Sequence, residues 1–100
     1  MDRDVIWFEM PVYQQICNVG SEVRRALKWK SKNNNERTEE FCAKAIELLE
    51  RTKRDPKNNH RISELMYCQE LLIDFLLGSN VFGSSDELLM KYYDQFIDCL

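Results

Sequence analysis

ISELMYCQELLIDFLL, residues 62–77, is the most apolar run in the chain. Wound as a helix at roughly 100° per residue, it places Ile62, Leu65, Met66, Leu72, Ile73, Leu76 and Leu77 on a main apolar face. Cys68, Leu71 and Phe75 widen that face to an arc of roughly 240°. Ser63, Tyr67, Glu70 and Asp74 form a clean polar strip, and Gln69 falls in the middle of the apolar arc. A helix of this kind needs cover on nearly every side, so its neighbours are expected to be helices too.

The rest of the chain supplies them at helical spacing. Pro11 suits the first turn of a helix, which predicts a first helix over residues 10–31. Its stripe of Val12, Ile16, Val19, Val23, Ala26 and Leu27 recurs every three or four residues. Gly20 lies beside that stripe. Inside a helix a glycine costs roughly 1 kcal/mol against alanine, which predicts close approach of another helix there. SKNNNE (31–36) reads as a turn. A second helix follows over 36–53, with Phe41, Ala45, Leu48, Leu49 and Thr52 inward. Glu36, Glu39 and Glu40 at its start, and Arg51, Lys53 and Arg54 at its end, complement the helix dipole.

RDPKNNH (54–60) interrupts the pattern, because Pro56 disfavours a helical Asp55. Asp55 or Asn59 is then expected to cap a third helix over 59–77, with Gly78 as its stop. In the loop GSNVFGSS (78–85), Val81 and Phe82 are expected to tuck back onto the body of the protein. Ser84 or Ser85 caps a fourth helix over 85–100, where Leu88, Leu89, Tyr92, Tyr93, Phe96, Ile97 and Leu100 span roughly 200°. The short DVIWF run near the start is too brief and too isolated for a sheet. The expected fold is all-α, a single-domain up-down-up-down four-helix bundle.

Composition sets the class. With 44% hydrophobic and 31% charged residues, the chain belongs with folded globular proteins rather than disordered ones. Cys17, Cys42, Cys68 and Cys99 fall one to each predicted helix, without a C-x-x-C pair and with a single histidine. That spacing argues against a zinc site, and neither a metal nor a cofactor is expected. A di-metal bundle site would need Glu-x-x-His pairs, which the sequence lacks. The start MDRDVIWFEMP puts acids ahead of a very short apolar run, unlike a secretory signal. No apolar run approaches the ~20 residues that span a bilayer. A cytoplasmic protein with reduced, core-filling thiols and no membrane association is therefore expected.

Net charge is −3, unevenly spread. Residues 1–61 carry 13 Lys and Arg against 10 Asp and Glu, whereas residues 62–100 carry one lysine against seven acids. The basic cluster Arg24, Arg25, Lys28, Lys30, Lys32 and Arg37 is the feature that points toward nucleic acid. The acidic total points away from it, and such a run is also the ordinary solvated end of a helix.

Two further constellations bear on function. Arg54-Asp55, four residues and then His60 resembles the Arg-polar-x(4)-His pattern of the HEPN ribonucleases, small all-helical proteins often found as partners of minimal nucleotidyltransferases. The resemblance implies His60 as a proton-transfer group and Arg54 as stabiliser of a phosphate, roles that suit a near-neutral titrating group and an anion clamp. Read on their own, Arg54 is a charge at a helix C-terminus and His60 a solvent-facing residue of the next first turn. Gly20-Ser21-Glu22-Val23, Arg25-Ala26, Trp29-Lys30 and Asp55-Pro56 are similar to a set of small uncharacterised prokaryotic helical proteins. That similarity implies the helical fold and carries no activity with it.

The second constellation is surplus apolar surface. A bundle helix buries a stripe somewhat over 100° wide, and the third and fourth predicted helices exceed it. Cys68, Gln69, Leu71, Phe75 and Tyr92 are the expected interface residues, covered by a second copy or another protein. A buried Gln69 amide left unpaired would cost about 1–3 kcal/mol, and its own copy across a dimer is one expected partner. The favoured reading is a non-enzymatic helical interaction or assembly module. A HEPN-like RNase or nucleotidyltransferase partner comes second, and a nucleic-acid-associated regulator third.

Overall fold

In the computed structural model, residues 3–96 are described, apart from the side chain of Arg3. Among them all regular structure is helical: α1 (Arg3–Phe8), α2 (Val12–Ser31), α3 (Asn35–Arg54), a 3-10 turn (Pro56–Arg61), α4 (Ile62–Leu76) and α5 (Asp86–Asp94). The expected continuation of the last helix through 97–100, with Ile97, Cys99 and Leu100, lies outside the described residues.

Local chemistry explains the boundaries. Asn33 takes a left-handed φ of 58° and so turns the chain, which an Asn tolerates better than most residues. Asn34 then caps α3 by accepting from the backbone N–H of Arg37 at 3.0 Å. Asp55 caps the 3-10 turn, its Oδ1 accepting from Lys57 N at 3.2 Å. Residues 59–61, expected as the first turn of the long apolar helix, are therefore 3-10, and the α-helix begins at Ile62. Ser85 caps α5 by accepting from Leu88 N at 3.2 Å. DVIWF, too brief for a sheet, is part of the short helix α1.

α2 packs along α3, α3 along α4, and α5 lies against α2. The core joins Ile16, Val19, Val23 and Leu27 of α2 to Ala45 and Leu49 of α3. From the other side come Leu65, Cys68, Leu72 and Phe75 of α4, with Leu89 and Tyr93 of α5. At Gly20, α5 comes close against α2. A Cβ built there would stand 2.8 Å from Tyr93 Cβ and 3.3 Å from Tyr93 Cγ. Those atoms sit next to the α5 backbone and cannot swing aside, so the close approach offsets the helix cost of glycine.

Loop 78–85 differs from the expectation. Val81 is 81% exposed and Phe82 52%, so neither enters the core. Phe82 instead meets Tyr67 edge-on, with ring centroids 6.1 Å apart. The loop is held by polar bonds. Asp74 accepts from the backbone N–H groups of Val81 at 2.7 Å and Phe82 at 3.0 Å. Asn80, at φ 57°, bridges to Ser84 N and Ser84 O at 2.8 and 2.9 Å. Gly78 donates to Ile73 O at 2.8 Å and closes α4, while the left-handed turn comes later, at Asn80.

Gly20→Ala is expected to destabilise the protein by about 1–3 kcal/mol, the range for overpacking, although the same change on an open helix face would stabilise. Urea unfolding of the two proteins followed by circular dichroism measures the sign.

Candidate functional site

Three faces of α4 meet three different environments. Leu65, Cys68, Leu72 and Phe75, spaced three, four and three, turn into the chain's own core. This corrects the expectation that Cys68, Leu71 and Phe75 form an outward edge. Cys68 and Phe75 are buried, and Leu71 is half-buried against the core. Lys30 covers the ring of Phe75, with Nζ 3.9 Å from its centroid. The outward apolar line is instead Ile62, Met66, Ile73 and Leu77, exposed by 37%, 46%, 48% and 51%. Gln69 lies in that line at helical spacing and donates from Nε2 to the Ile46 carbonyl of α3 at 3.4 Å. Its partner is within the same chain.

The third face opens on a groove. Glu64, Tyr67, Cys68 and Leu71 of α4, Phe82–Ser84 of the loop, and Leu88, Leu89, Tyr92 and Tyr93 of α5 enclose a cavity of about 290 Å³. It exists because α5 seats on α2 at Gly20 instead of closing on α4. Tyr92 crosses it, its hydroxyl donating to Glu64 Oε2 at 2.6 Å, and Arg61 Nη1 donates to the same oxygen at 3.1 Å. Burial pushes the Cys68 thiol up to about 11, against a smaller opposing effect of the Tyr92 hydroxyl. Burial, then the Glu64 carboxylate, raises Tyr92 as well. At neutral pH Cys68 is a thiol and Tyr92 a phenol, so the groove presents aromatic and aliphatic surface with one carboxylate, and no activated nucleophile.

The other sequence candidates lie elsewhere. Arg54 forms a two-pronged pair with Asp4, Nε to Oδ2 and Nη2 to Oδ1, both 3.1 Å, which ties α1 to α3 and lowers the Asp4 carboxyl. His60 is exposed in the 3-10 turn. Neither residue lines the groove. In the basic cluster, Arg24 pairs with Asp94 at 2.6 Å and Arg25 with Glu22 at 2.8 Å. Lys32 and Arg37 lie over the Trp29 ring, 5.1 and 5.7 Å from its centroid. Lys28 is exposed beside Arg24 and Arg25 at a shallow depression on α2. Much of the cluster's charge is thus spent on neighbours inside the chain. Among the described residues no group of three His, Cys, Asp or Glu could hold a metal ion, and no helix is long and apolar enough to cross a membrane.

Sequence reasoning missed a buried polar network at the α1 end. Gln15 is fully buried. Its Nε2 donates to Trp7 O and to Asp55 Oδ2, each at 2.9 Å, and its Oε1 accepts from Asn58 Nδ2 at 2.9 Å. Asn58 also donates to Thr52 O at 3.0 Å, and Trp7 Nε1 donates to Thr52 Oγ1 at 3.0 Å. Lys57 closes the set, bonded through Nζ to Asp55 and to Phe8 O. The signal was present: Gln15 precedes Ile16 by one residue and Val19 by four, which sets it on the apolar stripe of α2.

No protein-family model matches this chain, and no curated protein or solved structure matches it.

The network yields two predictions. Gln15→Leu keeps the volume but takes one hydrogen bond each from Asp55, Asn58 and Trp7 O, all of which keep a second partner. It is expected to cost about 1–3 kcal/mol in a urea titration, the charged bond to Asp55 weighing most. Burial alone would raise the Asp55 carboxyl, yet the Lys57 ammonium, the Gln15 amide and the Lys57 backbone N–H outweigh it and hold it below 3.8. A depressed folded value contributes stability above the unfolded pKa, and that contribution is lost as pH falls through the folded value. Asp55→Asn is therefore expected to lower stability at neutral pH and to flatten its decline below about pH 4, measured as urea midpoints across pH.

Proposed function

We propose that this chain is a small cytoplasmic, non-enzymatic assembly module, an up-down-up-down helical bundle that pairs with a second copy of itself through α4. The observation that carries the reading is the outward line Ile62, Met66, Ile73 and Leu77, each more than a third exposed. Large apolar side chains set in a row on the exposed side of a helix mark interaction surface.

The spacing favours a second copy over an unrelated partner. A two-fold interface must be self-complementary, and the line is palindromic about the midpoint between Gln69 and Glu70. Antiparallel pairing of two α4 helices sets Ile62 against the partner's Leu77, Met66 against the partner's Ile73, and Gln69 against the partner's Glu70. The last contact offers an amide to a carboxylate. The line runs over fifteen residue steps, about 22 Å at 1.5 Å each, a length that buries apolar side chains along the whole contact.

Light scattering after size exclusion at micromolar concentration is expected to give twice the 12.0 kDa chain mass. Met66→Asp or Ile73→Asp is expected to return it to the single-chain mass with the helical circular dichroism unchanged. A single-chain mass for the parent protein would overturn the reading.

A further inference from the structure

The groove between α4 and α5 lies on the far side of α4 from the self-pairing line, and its lining has a distinct chemistry. Four aromatic rings surround it: Tyr67, Phe82, Tyr92 and Tyr93. They are set at steep angles rather than stacked. Tyr67 and Phe82 meet at 72°, and Tyr92 and Tyr93 at 88° with centroids 5.1 Å apart. Rings crossed at such angles cannot all turn the same part of the ring toward a shared space, and a ring face carries the negative end of the ring quadrupole.

The lining has a single charged side chain, Glu64. Both of its hydrogen bonds, from Tyr92 and Arg61, fall on Oε2, and Oε1 carries none among the described residues. The groove thus combines π faces, apolar walls and a carboxylate oxygen with capacity to spare. A bare ammonium would lose its hydration here without enough acceptors to replace it. A neutral apolar group would offer nothing to Oε1, although the carboxylate is already paired with Arg61 through Oε2. A cation clothed in methyl groups satisfies both, since it buries apolar surface while its charge is drawn to ring faces and carboxylate. The volume of about 290 Å³ is at the small end for ligand pockets and suits one such group rather than a large molecule.

We propose that this groove binds a methylated ammonium group, held between the faces of Tyr67, Phe82 and Tyr92 and paired with Glu64. The chemistry is shared by free quaternary amines and by a trimethylated lysine side chain. Because Tyr67 and Phe82 are each more than half exposed, the mouth is open to either source. The site is independent of self-pairing, so either reading can fail while the other stands.

Chemical-shift titration of the full chain with choline, with its neutral isostere 3,3-dimethylbutan-1-ol and with a capped trimethyl-lysine amide tests the site. Saturable shifts confined to Tyr67, Phe82, Tyr92 and their neighbours are expected with a charged probe. Its affinity should exceed that of the neutral isostere by about fivefold or more, the size of one cation–π contact. Tighter binding of choline assigns the site to a free amine, and tighter binding of the lysine derivative to a modified side chain. Tyr67→Ala and Phe82→Ala, both at exposed positions, should weaken binding at least as much, and Glu64→Gln should reduce the preference for charge while leaving the part due to the rings. Equal affinity for choline and the neutral alcohol, or no saturable shift with either cation at millimolar concentration, would overturn the proposal.

Discussion

The buried amide of Gln15 is the constraint on which the α1 end of the molecule depends. A primary amide enclosed among apolar helices must have its donors and acceptor paired, or the fold loses about 1–3 kcal/mol for each stranded group. Gln15 meets the requirement by drawing three separate segments to itself: the last turn of α1 through Trp7 O, the α3 terminus through Asp55, and the 3-10 turn through Asn58. Each of those groups is bonded again to a neighbour. Such mutual satisfaction specifies one arrangement of the chain ends more sharply than apolar contact, which tolerates sliding. The position from which the α1 end, the 3-10 turn and so the start of α4 are set is therefore polar.

From there the burial pattern follows. α4 begins where the 3-10 turn releases it and offers three faces. One enters the core, one lies open, and one borders a groove because α5 has been drawn toward α2 at Gly20. The missing Cβ of a single residue thus bears on the site. Closer seating of α5 on α2 leaves a gap toward α4, and Tyr92 crosses that gap to reach Glu64. The loop before α5 is short of apolar anchors and is instead fastened by Asp74 and Asn80, which places Phe82 at the mouth of the groove opposite Tyr67.

Much of this was legible in the sequence. The helical character, the stripe of α2, the turn at Asn33 and Asn34, a cap at Ser84 or Ser85 and the close approach at Gly20 all follow from periodicity and local backbone chemistry. What escaped it was long-range. An apolar arc as wide as that of residues 62–77 does not say which part of it will be covered, because coverage depends on where the other helices fall. Hence Cys68 and Phe75, which look like the outer edge of the arc, are core, and Ile73 and Leu77, which look central, are exposed. The network escaped for a related reason. Asp55, Asn58 and Thr52 read as turn and helix-end polar residues until Gln15, some forty positions away, gives them a common partner. The side chains of Arg54 and Arg24 likewise read as charge for an outside ligand, whereas each has an acid waiting within the chain.

The central claim is that α4 leaves one apolar face for a second copy, in antiparallel register. An isotope-filtered NOE experiment on a mixture of labelled and unlabelled protein tests it most directly. The account predicts cross-peaks between the Met66 methyl of one chain and the Ile73 side chain of the other. Intermolecular contacts that involve α5 or α1 but not Met66 and Ile73, or none at all in a sample at millimolar concentration, would contradict it.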